Sequence, residues 1–309
     1  MRRFLVLALV LALVPAAVAA TSREKPAAGP ISALSVTGAE IAYADEFRTG
    51  CHEIRIWGHD DRSDRRLASH CFTSTSTGSG VAGVIAYNLR ALWVTYTGGN
   101  IREWSLWTKG FRAKARRIAF LTADVDGPPP VVLGRAWEGS LPYATGRTIV
   151  VLDFNGSRRF TLTAPDRVVA LSAHAGGYAA VLAYGNVVTF STAGKPLRTY
   201  AFAPGLVQEA VLSRRELVVK TAAGLEVHSS TPVRKLPLPR GARFLGLTEG
   251  LVAYGTGREL RLLRLASSRD ALFRTLAPGF RAELGRRGLA YASGRTLGFA
   301  TWSQVKAIG

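Results

Sequence analysis

The 309-residue sequence predicts an all-β chain built from about seven copies of one four-stranded unit. Three recurring features predict it: a proline phase, a Gly-Arg hairpin turn, and a second turn that follows a strand ending in Asp or Ser. Self-similarity at a fixed period of this size marks stacked supersecondary units rather than one irregular core.

The proline phase is the longest-range signal. Pro130, Pro165, Pro204, Pro239 and Pro278 are separated by 35, 39, 35 and 39 residues. Four of them lie in similar settings: "APD" at 164–166, "APG" at 203–205, "LPRG" at 238–241 and "APG" at 277–279. Each follows an alternating segment such as Phe160-Thr161-Leu162-Thr163. Proline cannot donate to a sheet ladder, so it marks the exit from a strand.

The hairpin turn has the form "ATGRTI" at 144–149, "GTGREL" at 255–260 and "ASGRTL" at 292–297. Gly146, Gly257 and Gly294 are 111 and 37 residues apart, and 111 is three periods of 37. Degenerate copies surround Gly185 and Gly224. Each turn joins two short runs of β-forming residues, and glycine supplies the positive φ that tight hairpins need. The third feature recurs in "VLDFNGSRRFTL" (151–162), "TFSTAGKPLRTYAF" (189–202) and "RLASSRDALFRTLA" (264–277), with "IWGHDDRSDRRLASH" (56–70) reading the same way.

A period of about 37 residues thus holds four short strands, which is the arithmetic of a β-propeller blade. The expected blades are 31–72, 78–121, 129–164, 166–203, 205–238, 241–277 and 279–309. Seven is the expected number. Eight follows if the two longer N-terminal stretches hide another blade, and six if the last stretch completes the first. A two-layer sandwich would not produce the regular proline phase. Within "TGGNIREWSLWT" (97–108), Thr97 to Asn100 is the hairpin of the second blade. A blade is covered on both faces, so Trp104 and Leu106 should serve one blade-to-blade interface and Trp107 the other. Arg102 and Glu103 are the expected buried ion pair.

This pattern resembles the WD40-like and quinoprotein-like β-propeller repeats, especially exported bacterial propellers of unassigned function. The resemblance covers 31–309, taken as a single domain. Trp57-Gly58-His59-Asp60 echoes the Gly-His and Trp-Asp dipeptides of WD40 repeats, although no repeat here ends in Trp-Asp. The resemblance implies a fold; propellers host enzymes and scaffolds alike.

Residues 1–20 read as a signal peptide. Arg2-Arg3 forms a basic start, Phe4 to Val14 an apolar run, and Ala17-Val18-Ala19 an A-x-A cleavage site. The run is short for a membrane span, and retention as an anchor is the alternative. The polar stretch 21–30, "TSREKPAAGP", is expected to be a flexible lead-in. Cys51 and Cys71 are the only cysteines, and in an exported chain such a pair reads as a disulfide. The expected location is therefore extracellular or the cell envelope.

The formal charge is +19, and removing Arg2 and Arg3 with the signal leaves +17. Such a charge attracts anionic partners. Arginine supplies 33 of the 40 basic residues, and they are scattered rather than gathered in a nucleic-acid-type tract. Two groups are candidate binding residues. Lys109, Arg112, Lys114, Arg116 and Arg117 share one loop with Phe111. Arg147, Arg258 and Arg295 occupy equivalent hairpin positions, so ring symmetry puts them on one rim. The two groups belong to opposite faces.

No catalytic constellation stands out. Asp45, Glu46, Glu103, Asp124, Asp126, Asp153 and Glu259 are the carboxylates to test for a glycosidase-type pair, with Glu103 the most interesting. No G-x-S-x-G nucleophile motif occurs. His52 and His70 flank the cysteines as exposed neighbours or a conceivable metal pair. "HDDRSD" (59–64) lacks the glycine and terminal Glu of a calcium loop. No metal or cofactor is expected. The reading is a monomeric secreted or envelope scaffold engaging a protein or an anionic polymer, with no specific nucleic-acid site and no membrane span once the signal is cleaved. The rival is an extracellular carbohydrate-active hydrolase or lyase using carboxylates at the central channel.

Overall fold

The computed structural model describes residues 22–73, 77–110, 112–214, 216–229 and 232–309. The expected signal segment 1–20 and Phe111 of the basic loop lie outside the described residues. The chain forms seven four-stranded antiparallel sheets set in a ring, a seven-bladed β-propeller. The inner strands are Ile31–Thr37, Gly80–Tyr87, Val131–Leu133, Val168–His174, Val207–Leu212, Arg243–Thr248 and Arg281–Gly285. In each blade the strands run outward from a to d in chain order, except in the last. One face of the ring, here the upper, carries the b–c turns and the connections between blades. The lower face carries the a–b and c–d turns.

Blade 7 corrects the expected lead-in. Its own stretch supplies three strands, Arg281–Gly285, Gly288–Ser293 and Thr296–Thr301, and then the helix Trp302–Ile308. The fourth, outermost strand is Arg23–Pro26, paired from Arg23 with Phe299 to Pro26 with Thr296. A charged strand ending in proline carries no apolar alternation, yet it suits an exposed sheet edge. That is why "REKP" reads as a linker. The ring is therefore closed by residues from both ends of the described chain.

The sequence markers have local causes. Gly146, Gly257 and Gly294 adopt φ of 57°, 55° and 59° in their b–c turns. The residue after each turn glycine then clasps the outer strand of its own blade. Arg147 accepts from the Ala164 amide through its carbonyl (2.8 Å) and donates from Nε to the Ala164 carbonyl (3.0 Å). Arg258 does the same with Leu276, at 2.8 and 3.3 Å. Arg295 accepts from Ala27 (2.7 Å) and donates to the Ala28 carbonyl. In the c–d turns the terminal Asp or Ser caps the next strand. Asp153 Oδ1 accepts from the Ser157 amide (2.9 Å), Ser191 Oγ from Lys195 (3.1 Å) and Asp61 Oδ1 from Ser63 (2.9 Å).

Middle strands are buried on both faces, which explains runs without alternation such as Gly177–Leu182, whereas outer strands such as Arg158–Thr163 are largely exposed. The aromatic stretch follows suit. Trp104 and Leu106 pack with Val131, Leu141 and Tyr143 of blade 3, and Trp107 packs against the cluster shared with Ile54 and Leu67 of blade 1. Arg102 and Glu103 do not pair. Arg102 donates to the Thr77 carbonyl (2.8 Å) and lies over Tyr96, while Glu103 is exposed beside Thr97.

Cys51 and Cys71 face each other across strands Cys51–Gly58 and Asp64–Cys71 and form the expected disulfide. Their neighbours are not the exposed pair expected. His52 is buried, and His70 accepts from Trp93 Nε1 through Nε2 (2.9 Å). Burial lowers the pKa of both imidazoles. Among the described residues no cluster of metal-ligating side chains occurs, and no helix is long and apolar enough to cross a membrane.

Candidate functional site: the central channel and its two mouths

The inner strands line the channel, and the hairpin registers sort their residues into levels. Thr37 pairs with Glu40, Trp137 with Ser140, His174 with Gly177 and Gly285 with Gly288 at the lower turns. Two residues above, Ser35, Arg135, Ser172 and Glu283 therefore share a level. One level higher stand Ala33, Gly83, Ala170, Glu209, Arg243 and Arg281, opposite Ala44, Val94, Val181, Lys220, Gly255 and Ala292.

Arg135 closes the channel between these levels. From blade 3 its guanidinium reaches the carbonyls of Leu245 (2.9 Å) and Phe244 (3.1 Å) in blade 6. It also meets Glu209 Oε2 of blade 5 (3.0 Å) and Glu283 Oε1 of blade 7 (4.0 Å). Its backbone ties blade 3 to blade 4 through Leu171 and Ala173. Burial works against the Arg135 charge, but Glu209 and Glu283 overcome it and hold its pKa above the usual value. Burial pushes the Glu283 carboxyl up to about 7, opposed by Arg135 and reinforced by Glu209. Both mouths contain Arg135 and Glu283 in their walls.

The lower mouth is a cavity of about 580 Å³ between Trp137, His174, Trp302 and the inner turns. Both of its rim arginines are paired. Arg286 pairs with Glu138, Arg287 with Asp60 (3.3 Å), and Trp302 Nε1 donates to Glu249 (3.2 Å). His174 donates from Nε2 to the Leu247 carbonyl (3.0 Å) and stacks near Trp137, and burial lowers its pKa to about 4. It is therefore neutral at physiological pH.

The upper mouth is a cavity of about 420 Å³ with walls of Ala33, Leu133, Val169, Glu209 and Arg281. Arg281 donates from Nε to the Ile31 carbonyl (3.3 Å). Arg243, one blade away, lies over the Phe280 ring at 4.8 Å. Gly255 makes room for it: a Cβ there would sit 2.8 Å from Phe280 Cζ and 3.3 Å from Arg243 Nη2. Burial and then the charge of Arg243 lower the Arg281 pKa. Among the described residues no carboxylate forms an ion pair with either guanidinium.

None of the seven carboxylates singled out from the sequence lines this channel. Asp45 is buried on the amide of Ala28, and Glu46 accepts from Gly50. Asp124 ends the outer strand of blade 2, Asp126 follows in the connection, and Asp153 caps a turn. Glu259 pairs with Arg261 (3.0 Å) on the rim, and Glu103 is exposed on a third strand. The basic loop is a c–d connection and the three turn arginines are b–c residues, so they stand on opposite faces. Lys109 donates to the Leu67 carbonyl and Arg117 lies over Phe120 (4.9 Å), while Arg112, Lys114 and Arg116 are exposed.

The residues missed were Arg135, Glu209 and Glu283. They are 74 and 74 residues apart, two periods each; Glu209 and Glu283 lie within inner strands and Arg135 lies two residues past the inner strand Val131–Leu133. Arg243 and Arg281 are 38 apart, one period. Charge recurring in repeat phase on the innermost strand was the available signal.

Fold and channel define a seven-bladed β-propeller. The structure is similar to a chain of the mitotic checkpoint complex, with TM-score 0.57 and 14% identity over 97% of this chain and 99% of that one. It is also similar to the WD40 β-propeller domain of Doa1, with TM-score 0.57 and 12% identity over 92% and 97% of the two chains. For the Pan2 WD40 domain of Neurospora crassa the TM-score is 0.54, at 12% identity over 88% and 89%. No protein-family model and no curated protein matches the sequence.

Proposed function

We propose that this chain is a monomeric binding scaffold, exported to the cell envelope or beyond it, that engages a protein or an anionic polymer through the faces of the ring. The carrying observation is Arg135. It occupies the channel between Glu209 and Glu283, the two carboxylates at these levels among the described residues. A general acid and base need substrate between them; here a guanidinium takes that place. The similar WD40 domains are consistent with an interaction role, and the charge of +19 with an anionic partner. Binding of the folded protein to poly-glutamate and to a poly(glycerol phosphate) across a salt series tests the reading. Affinity should fall steeply with salt. No binding at low salt, or binding indifferent to salt, would reject the electrostatic account.

The Glu283 carboxyl, raised to about 7, favours a second reading, a carbohydrate-active hydrolase with Glu283 as general acid. Release of reducing ends from polysaccharides, abolished by Glu283→Gln, would establish it and displace the scaffold reading.

A further inference from the structure

We infer a carboxylate-binding site on the upper face, where the channel mouth lined by Arg281 meets the adjoining groove lined by Arg243 along Gln208 and Glu209, with Arg243 and Arg281 as its two ligand-holding residues. The inference rests on the proposed binding role and names the place and chemistry of the contact. The two arginines are the first residues of consecutive inner strands and stand at one level, opposite Gly255 and Ala292. Each is held by something other than an acid: Arg243 by the Phe280 ring, Arg281 by the Ile31 carbonyl. Arg243 opposes the Arg281 charge and no ion pair within the described residues offsets it, so a carboxylate placed between the two would be attracted by both.

The neighbouring acids do not fill that role. Glu209 is bonded to Arg135 in the level below, and Glu283 is shared with the same guanidinium. Around the upper mouth and its adjoining groove three guanidiniums and the Lys220 ammonium face Glu209 and Glu283, which leaves at least two positive charges. That excess favours an anionic ligand. A carboxylate also fits two planar forks better than a bulkier dianion held above Glu209. Val169, partly exposed in the same wall, offers an apolar contact to the methylene that carries the carboxylate. The ligand is therefore an acidic side chain, or a chain-terminal carboxylate, projecting down into the mouth.

The test uses a fluorescent oligoglutamate peptide and anisotropy at low and high salt. Wild-type protein should bind it. Arg243→Gln/Arg281→Gln should bind about tenfold more weakly or worse, the loss expected when charge-assisted pairs are removed. It should also melt at or above the wild-type temperature, since repulsion is relieved. A merely structural arginine pair would lower the melting temperature and leave binding alone. The control Arg158→Gln/Lys195→Gln, at exposed outer-strand and turn positions away from the channel, should retain the wild-type affinity. Should the double variant fold poorly, Arg281→Gln alone should show the same direction. Unchanged binding by the double variant overturns this site and leaves the scaffold reading standing. Binding of polyphosphate with none of oligoglutamate overturns the ligand class. No binding of any polyanion overturns both the site and the scaffold reading.

Discussion

The two mouths of the channel are made from the same seven inner strands, yet they treat charge in opposite ways. At the lower mouth Arg286 meets Glu138, Arg287 meets Asp60, and Glu249 is held by Trp302. At the upper mouth Arg243 and Arg281 stand side by side without an acid. Exposed pairs such as those below contribute little to stability, with a median near 0–1 kcal/mol. Their effect is to quench the field at that opening. The upper opening keeps its field, so the same ring presents one mouth whose rim arginines are paired and one cationic mouth. Arg135 separates them.

Removing the separator should have the largest effect. Arg135→Leu leaves Glu209 and Glu283 close together and strips bonds from the carbonyls of Phe244 and Leu245. Breaking one side of a buried charged cluster costs about 3 kcal/mol, to be read from urea unfolding. A loss below about 1 kcal/mol would mean that Arg135 is no plug.

Glu283 gives the next effect, in pH. Its folded pKa of about 7 lies above the ordinary 4.5, so the folded state holds the proton longer than the unfolded chain. Stability is then full below about pH 4 and declines as pH rises towards 7, by about 2 kcal/mol. Glu283→Gln should flatten that decline in melts taken across the range. An unchanged slope would show that Glu283 is not the group responsible.

At the lower mouth, Glu138→Gln with Asp60→Asn should cost no more than about 1 kcal/mol. It should also make that opening cationic, with Arg286 and Arg287 released from their acids. Oligoglutamate binding should then gain a second site by titration. A single site with unaltered stoichiometry would break the contrast between the mouths.

How far the sequence revealed this can be argued from particular residues. Glycine φ, proline's missing donor and Asp or Ser caps act within a few residues of themselves. They therefore leave a local imprint, and blade number and boundaries follow. Closure by Arg23–Pro26 left none, because an outer strand has neither a buried face nor an apolar period, and its partner Thr296–Phe299 lies at the far end of the chain. The Arg135 cluster was hidden for a related reason. Its members come from blades 3, 5 and 7 and meet only because the ring closes. The turn arginines Arg147, Arg258 and Arg295 were legible as equivalent, but their hydrogen bonds to outer-strand carbonyls give them a structural task that spacing could not show.

The most direct measurement is the stability of Arg281→Gln against wild type at low and at high salt. If Arg243 and Arg281 repel without a partner, the variant should be as stable as wild type or more stable at low salt, and the difference should vanish as salt screens it. A variant that is less stable than wild type at low salt, by a deficit that shrinks as salt rises, would show that Arg281 is paired with an acid, and the cationic mouth would be contradicted.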